Sequence, residues 1–320
     1  MTDLSNTEPQ SAPRSQWRDV WIQFRSHHGA MFGAIVLLLI VLAVYVGPFI
    51  WPIDPQYLPQ GRDFLNLRDT RPIYVALWEP DAKVNWAHPL GTDNLGRDTL
   101  ARLLFGGQVS IAVGLTAMLL SLFLGTLVGV LAGYFKKADG PLMRLTDLFL
   151  ALPLLPLILV ASLLFRDPLA AVFGAEGGVF ILIVALIGIT SWMQTARIVR
   201  GDVLALKERE FVLAARSIGT TNTKLITRHM LPNILSPILV SATLGIATAI
   251  ITESALSFLG FGFPPDFPTW GRLLNDGVPR VVSYPERSIW PGIMISLTVL
   301  SVNYLGDGLR DALDPRIRGR

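Results

Sequence analysis

Few residues in this chain are of the types that carry catalysis or bind metals. The sequence has no cysteine and four histidines, His27, His28, His88 and His229. Without thiols it can form no disulfide, zinc knuckle, iron–sulfur site or cysteine nucleophile. All four histidines lie at or outside the ends of the long apolar stretches. The sequence therefore argues against an intramembrane hydrolase, and we expect no catalytic residue and no metal site.

A phosphate-binding loop is also missing from the sequence. No lysine follows a glycine, so the pattern G-x-x-x-x-G-K-[ST] does not occur. We therefore expect this chain to bind no ATP and to contain no cofactor of its own.

Glu253 is the acid that lies closest to the interior of an apolar stretch. A carboxylate inside a membrane is a candidate functional residue. Glu253, however, lies near the end of its stretch, just before the glycine-rich turn SFLGFGFPP, and this favours an interfacial or helix-capping role. Asp147, at the end of another stretch, is interpreted in the same way. No stretch carries the series of acids or histidines that a proton relay needs.

The elements that must position these residues are membrane helices. Hydrophobic residues make up 51% of the chain and charged residues 16%, with a mean hydropathy of +0.49, which is outside the soluble range. The net charge of +3 is too small to indicate a nucleic-acid partner. Six stretches without Asp, Glu, Lys or Arg are long enough to cross a bilayer core of about 30 Å. They lie between Arg25 and Asp54, Arg102 and Lys136, Asp147 and Arg166, Glu176 and Arg197, Arg228 and Glu253, and Arg287 and Asp307.

We therefore predict an all-α polytopic membrane bundle with six transmembrane helices. Lys and Arg accumulate on the cytoplasmic side of membrane proteins, and this rule places both termini inside. The predicted parts are a cytoplasmic tail of residues 1–30, a six-span domain of residues 31–306 and a cytoplasmic tail of residues 307–320. The first 16 or so residues are expected to be disordered, and the first span is too long for a cleaved signal peptide.

The outer loop, residues 54–102, has a pattern of its own. Its tryptophans and tyrosines suggest packing at the membrane interface. After Asp93, three leucines share an apolar stripe, whereas Arg97 and Arg102 fall on other faces. This pattern predicts an amphipathic surface helix that leads into the second span.

The cytoplasmic loop, residues 197–232, predicts two short helices. Apolar residues recur near helical spacing as far as Ile218, and Gly219 followed by Thr-Thr-Asn is a helix stop. A second helix is predicted from about Thr223 to Pro232. The unit is too small to have a core, so its Ala-rich face needs a partner. A helix lying on the inner leaflet remains the alternative.

Small residues and prolines mark the interiors of the spans. Gly125, Gly129 and Gly133 repeat every four residues in the second span, which predicts close packing of another helix. Pro153 and Pro156 are expected to break the hydrogen-bond ladder of the third span, and Pro237 that of the fifth.

The cytoplasmic loop resembles the EAA loop of the membrane permease subunits of bacterial ATP-binding cassette (ABC) importers. The family pattern has two adjacent alanines, three further residues and a glycine, and it ends in Leu-Pro, which matches Ala214, Ala215, Gly219, Leu231 and Pro232. Leucine stands at position 213, where the family has glutamate. Residues 88–114 and 253–271 resemble two further motifs of the C-type permeases of dipeptide and oligopeptide importers.

This resemblance implies the transmembrane domain of a type I ABC importer in a bacterial inner membrane. Its expected partners are a B-type permease, two cytoplasmic ATPases that bind ATP and Mg²⁺, and a periplasmic or lipid-anchored peptide-binding protein. The resemblance also implies that residues 211–219 form a coupling helix that rests in a groove of the ATPase. The implied coupling residues are Phe211, Ala214, Ala215, Arg216, Gly219, Leu231 and Pro232.

The expected function is peptide import, with the residues of the substrate path unknown. The charges of Arg209, Glu210 and Arg216 either pair with the ATPase or lie on a solvated face. A self-sufficient channel or secondary transporter is the alternative function. Such a protein should show broken helices in paired halves, which this sequence does not clearly have.

Overall fold

The structure, a computed structural model, describes residues 16–313, and this part of the chain consists of helices, turns and isolated bridges. The α-helices are α1 (Gln16–Ser26), α2 (His28–Ile50), α3 (Gly61–Leu67), α4 (Thr99–Tyr134), α5 (Lys136–Ala151), α6 (Leu154–Phe173), α7 (Ala175–Lys207), α8 (Glu210–Ser217), α9 (Asn222–Lys224), α10 (Leu235–Phe258), α11 (Trp270–Gly277) and α12 (Glu286–Leu313). The predictions for residues 1–15 and 314–320 lie outside the described residues.

Within residues 16–313, six helical segments are long and apolar enough to cross a membrane. They are α2, α4, α6, α7, the continuous stretch of residues 222–258 that ends in α10, and α12. The predicted all-α architecture with six spans is confirmed. Residues 51–98 and 259–285 lie together at one end of the bundle, called here the loop-rich end. The opposite end, called the α8 end, contains α8, α9 and the turns that lead into α10.

The third span differs from its prediction. It is α6, which starts after Pro153, whereas residues 136–151 form the separate helix α5. The search for uncharged residues placed this span too early because one face of α5 is apolar. Pro153 is the N-cap of α6 and Pro156 lies in its first turn, where an N–H has no helical partner. The helix is interrupted at Leu152 and Pro153, as the prolines predict, but this break separates α5 from α6 and so precedes the span.

The N-terminal segment is also more structured than expected. Within the predicted tail of residues 1–30, α1 folds back onto α2 and α12. Phe24 of α1, Ala30 of α2 and Ala312 of α12 are buried together in one apolar cluster. Residues 16–30 are therefore part of the bundle.

The second span begins as part of a single long helix. Asp98 caps α4, where its Oδ1 accepts the Ala101 N–H at 2.6 Å. Arg102 is 1% exposed, and its Nη2 lies 3.5 Å from Asp276 Oδ2. Arg97 is also buried, and its Nε donates to Asp93 Oδ2 at 2.7 Å. The prediction of a surface helix is wrong because both arginines are buried beside acids, one of which, Asp276, belongs to a distant segment of the chain.

The glycine stripe of α4 packs against α7, which confirms the predicted close approach. A Cβ at Gly129 would lie 2.6 Å from the Ala196 carbonyl oxygen and 2.7 Å from Val199 Cβ. Gly125 and Gly133 meet α7 in the same way, one turn away on either side. Only glycine allows the two backbones to come this close.

At the loop-rich end, ion pairs hold residues 51–98 against α12 and against the turn before it. Arg280 Nη1 and Arg287 Nη2 each donate to Asp69 Oδ1 at 2.9 Å. Burial alone would raise the pKa of Asp69, but the hydrogen bond and charge of Arg287, with those of Arg280, hold that pKa below its usual value. Asp69 therefore stays ionised at neutral pH, and its stabilising effect is lost only as the pH falls through this lowered pKa.

Candidate functional site

Helix α8 projects from the α8 end, and its C-terminus is fixed by a glycine turn. Gly219 has φ +83°, a conformation that L side chains rarely adopt. Its N–H donates to the Arg216 carbonyl at 3.0 Å, and the Thr220 N–H donates to the Ala215 carbonyl at 3.2 Å. This pair of bonds is the Schellman motif. Gly219 is thus the turn residue that the sequence predicts.

The inner face of α8 is buried in the chain's own core. Val212 and Ala215 pack in one cluster with Val203 of α7, Leu225 and Met230. The methyl group of Ala215 therefore points into this chain. A methyl-sized side chain at position 215 is what lets α8 lie close to the ends of α4 and α7.

Tyr134, the last residue of α4, ties this unit together. Its hydroxyl donates to Asn222 Oδ1 at 2.6 Å, and its carbonyl accepts from Lys207 Nζ at 2.9 Å. Arg216 lies over the Tyr134 ring, with 6.0 Å between its Cζ and the ring centroid. These contacts make α8 a rigid extension of the bundle.

The outer face of α8 is apolar and exposed. Ile218 is 84% exposed, Phe211 is 44% exposed and Leu213 is 42% exposed. Ala214 and Gly219 are exposed beside them, as are the charged groups of Arg209, Glu210 and Arg216. A helix that is fixed on one side and apolar on the other is suited to bind another protein.

The segment after α8 is less regular than predicted. The expected helix of residues 223–232 consists of α9, a π turn at Leu225–Met230 and a 3₁₀ turn at Leu231–Ile234. Pro232 has no N–H to donate to the Arg228 carbonyl, so a regular α ladder cannot continue through it. Leu231 is half-buried and Pro232 is exposed.

A cavity of about 830 Å³ lies between α4, α5, α6, α7, α10 and the end of α12. Its volume is in the range of about 300–1,000 Å³ that small-molecule sites occupy. On α7 it is lined by one stripe that includes Ile187, Ser191, Ile198 and Asp202. Its neutral hydrogen-bonding groups include Ser121, Thr190, Ser191, Gln194, Thr195 and Ser241. These neutral groups can offer hydrogen bonds to a solute of either charge.

Apolar packing closes the cavity toward the loop-rich end. Ile187 and Ala249 line the part of the cavity nearest the loop-rich end, and they belong to the same buried cluster as Phe263. The Phe267 ring stacks on Phe263 at 5.1 Å between centroids and meets Phe105 edge-on at 5.3 Å. From this plug the cavity extends toward the α8 end, where Asp202 and Arg310 lie in its wall.

Glu253 is buried inside the plug region. Its Oε2 accepts from Ser110 Oγ at 2.9 Å, and its Oε1 accepts from Ser257 Oγ at 2.7 Å. Ser110 Oγ also lies 3.3 Å from the backbone N–H of Trp270, which donates to it. The predicted interfacial or helix-capping role is wrong, because Glu253 is 0% exposed and joins α10 to α4 and α11.

The other candidate residues of the sequence are structural in this fold. Asp147 lies on α5 and pairs with Arg197 at 2.5 Å, rather than at the end of a span. His27 Nδ1 accepts the Ala30 N–H at the start of α2, and His88 Nδ1 lies 2.6 Å from Asp98 Oδ2. Residues 16–313 contain no group of three or more His, Cys, Asp or Glu residues that could hold a metal ion.

The cavity wall is the part of the site that sequence reasoning missed. Its hydroxyl and amide groups are neutral, so they do not interrupt an apolar stretch. The signal that points to them is the spacing on α7, where Gln194 and Thr195 follow Thr190 and Ser191 by four residues each.

The fold is that of the membrane component of an ABC transporter. An inward-facing structure of the MetNI methionine ABC transporter aligns over 67% of this chain and 97% of its own, with a TM-score of 0.53 and 16% identity. A second crystal form of that transporter aligns over 66% and 96% of the two chains, with a TM-score of 0.51.

The sequence narrows this class to a family. Residues 104–319 match the model of the binding-protein-dependent transport system inner membrane component, and residues 15–68 match that of the N-terminal transmembrane domain of oligopeptide transport permease C. The chain belongs to the family of inner-membrane components of binding-protein-dependent transport systems. It is thus a multi-pass membrane protein and a transport subunit.

Relatives in several bacteria match nearly the whole chain. The oligopeptide transport system permease protein OppC of Bacillus subtilis is 36% identical, over 95% of this chain and 91% of its own. The di/tripeptide transport system permease protein DppC of Pseudomonas aeruginosa is 37% identical, over 99% and 98%. The glutathione transport system permease protein GsiD of Pectobacterium atrosepticum is 35% identical, over 95% and 93%.

Proposed function

We propose that this chain is a permease subunit of an ABC importer for peptides, and that α8 is the surface on which an ATPase subunit acts. The observation that carries the proposal is the outer face of α8, where Phe211 and Ile218 are exposed on a helix whose inner face is locked into the core. Relatives named for oligopeptides, di- and tripeptides and glutathione support a peptide substrate.

The proposed assembly places the α8 end and both termini in the cytoplasm, and the loop-rich end outside. Two cytoplasmic ATPases bind ATP and Mg²⁺, and one of them contacts α8. A homologous B-type permease faces the cavity and completes the path. A periplasmic or lipid-anchored peptide-binding protein delivers the substrate to the loop-rich end.

In this proposal α8 acts as a lever. Phe211, Ala214, Arg216 and Ile218 contact the ATPase, whereas Ala215 and Gly219 fix the shape of the lever. Leu231 and Pro232 support it at the entrance of the fifth span. Movement of α8 displaces the ends of α4 and α7, and other parts of these two helices line the cavity. The bundle thereby changes between inward-open and outward-open states.

The direct test combines co-purification with uptake. A tagged copy of the chain, expressed with its genomic neighbours, should bring down a second permease and ATPase subunits, and its deletion should abolish uptake of di-, tri- or longer peptides. Peptide uptake by the purified chain alone, in proteoliposomes without ATP, would instead establish a self-sufficient transporter.

Gly219→Val should uncouple α8 from transport. A β-branched residue disfavours φ +83°, so the Schellman bonds are lost, and strain of about 1–3 kcal/mol distorts the end of the lever. We expect peptide uptake to fall about tenfold while insertion into the membrane is unchanged, because no atom outside the turn lies within 4 Å of the Cβ position.

Gly219→Asn is the matched control for this substitution. Asparagine tolerates the left-handed region, so this variant should keep most of the uptake. Equal uptake by the valine and asparagine variants, at equal membrane levels, would contradict the proposed role of the turn.

A further inference from the structure

Helix α5 is joined to α7 by two ion pairs that cross between the helices. Arg200 binds Asp139 with two hydrogen bonds, from Nε to Oδ1 at 2.5 Å and from Nη2 to Oδ2 at 2.8 Å. Arg197 Nη2 donates to Asp147 Oδ1 at 2.5 Å. The two pairs differ in geometry and in exposure to solvent. The first is bidentate and partly buried, whereas the second is a single contact between side chains that are 53% and 61% exposed.

The rest of α5 holds only loosely to the bundle. Of its described side chains, only Thr146 is buried. Phe149 makes an apolar contact with α7, where its ring meets that of Trp192 with 6.0 Å between the centroids. A helix with so little buried surface depends on its polar contacts for a fixed position.

The C-terminal part of α5 forms a wall of the cavity. Phe149, Leu150 and Leu152 line it, followed by Leu154 and Leu157 at the start of α6. Any displacement of α5 against α7 therefore changes the width of the cavity.

The other end of α7 leads into α8, and the other end of α5 follows Tyr134, over whose ring Arg216 of α8 lies. Only two residues separate the end of α7 at Lys207 from the start of α8. Phe135 alone separates the end of α4, at Tyr134, from α5, and Lys207 Nζ donates to the Tyr134 carbonyl at 2.9 Å. The base of α8 is thus connected to α5 along the chain through Tyr134 and across the helices through Arg200.

Asp139 remains charged under working conditions. The hydrogen bond from Arg200 is the main cause that holds the pKa of Asp139 below its usual value. The stability that this pair contributes to the fold is present above the usual pKa of aspartate, and it is lost only as the pH falls through the lowered pKa of Asp139. Both members of the pair are therefore charged at neutral pH.

We propose that the Asp139–Arg200 ion pair transmits the movement of α8 and α7 to α5, so that the cavity wall moves with the lever. Asp139 and Arg200 are then positioning residues of the transport cycle, and the exposed Asp147–Arg197 pair has a minor part. This inference rests on the proposed function of α8.

The test uses the complete importer in proteoliposomes and measures peptide uptake per ATP hydrolysed. In Asp139→Ala and in Arg200→Ala, we expect uptake per ATP to fall about fivefold, while assembly of the complex and ATP hydrolysis change less than about twofold. The exchanged pair, Asp139→Arg with Arg200→Asp, should recover at least half of the lost coupling. Asp147→Ala, on the same helix, is the matched control and should keep the wild-type ratio.

Any one of three results would overturn the inference. The first is wild-type uptake per ATP in both alanine variants, and the second is an equal loss of uptake per ATP in Asp147→Ala. The third is no recovery of uptake per ATP in the exchanged pair. If the alanine variants do not assemble, Asp139→Asn, which keeps a hydrogen-bond acceptor but no charge, replaces them and must show the same loss. Failure of the proposed function is distinguishable, because the wild-type complex would then show uptake that does not depend on ATP.

Discussion

Replacing Ile218 with aspartate is expected to abolish peptide uptake while the chain still folds and inserts. Ile218 is 84% exposed at the end of α8, so the free subunit loses no core contact. In the proposed assembly this side chain is buried against the ATPase. An uncompensated carboxylate in an apolar interface costs several kcal/mol. Because each 1.4 kcal/mol is about tenfold in affinity, the ATPase should bind at least about thirtyfold more weakly.

The measurement is the amount of ATPase that co-purifies with the tagged chain, together with uptake. Val282→Asp is the matched control, because Val282 is 95% exposed and lies at the loop-rich end, away from α8. This control should retain the wild-type amount of ATPase. Wild-type recovery of ATPase and wild-type uptake in the Ile218 variant would contradict the assignment of α8.

The second large effect is expected in folding, at the crossing of α4 and α7. Gly129→Leu places a Cβ 2.6 Å from the Ala196 carbonyl oxygen, which belongs to backbone and cannot rotate away. Overpacking of a core costs about 1–3 kcal/mol and more where backbone must move. We expect the variant to lose most of its folded, membrane-inserted population and to shift its thermal midpoint down by several degrees.

Gly201→Leu is the control for this substitution. Gly201 lies on α7 with no atom within 4 Å of its Cβ position, and leucine is the better helix former. Its thermal midpoint, measured on detergent-purified protein by fluorescence-detected size exclusion, should equal or exceed that of the wild type. A wild-type midpoint in Gly129→Leu would show that α4 and α7 do not cross at this residue.

Local signals in the sequence were sufficient for the architecture. Long uncharged stretches predicted six spans because a bilayer core admits few charges. Each span can be recognised in this way without reference to the rest of the chain. The turn at Gly219 was predictable because a glycine after a helical pattern is the usual left-handed cap. Close packing at Gly129 was also predictable from local sequence, because a glycine at every fourth residue forms a stripe along one face of a single helix.

The features that were predicted wrongly depend on distant partners. Glu253 was expected at an interface, but its partner Ser110 is 143 residues away in the chain. Arg102 was expected on a surface, but Asp276 approaches it from α11. No local pattern contains these contacts. The third span was misplaced for another reason, because a search for absent charges does not separate a half-apolar helix such as α5 from a span.

The central claim is that α8 is held by an ATPase, and single-cysteine crosslinking tests it most directly. The chain has no cysteine of its own, so Phe211→Cys and Ile218→Cys each provide one reactive thiol. Val282→Cys is the control at the opposite end. With a short photoactivatable thiol reagent in native membranes, positions 211 and 218 should crosslink to an ATPase subunit, and position 282 should not. Crosslinks from positions 211 and 218 that reach only lipid would contradict the account.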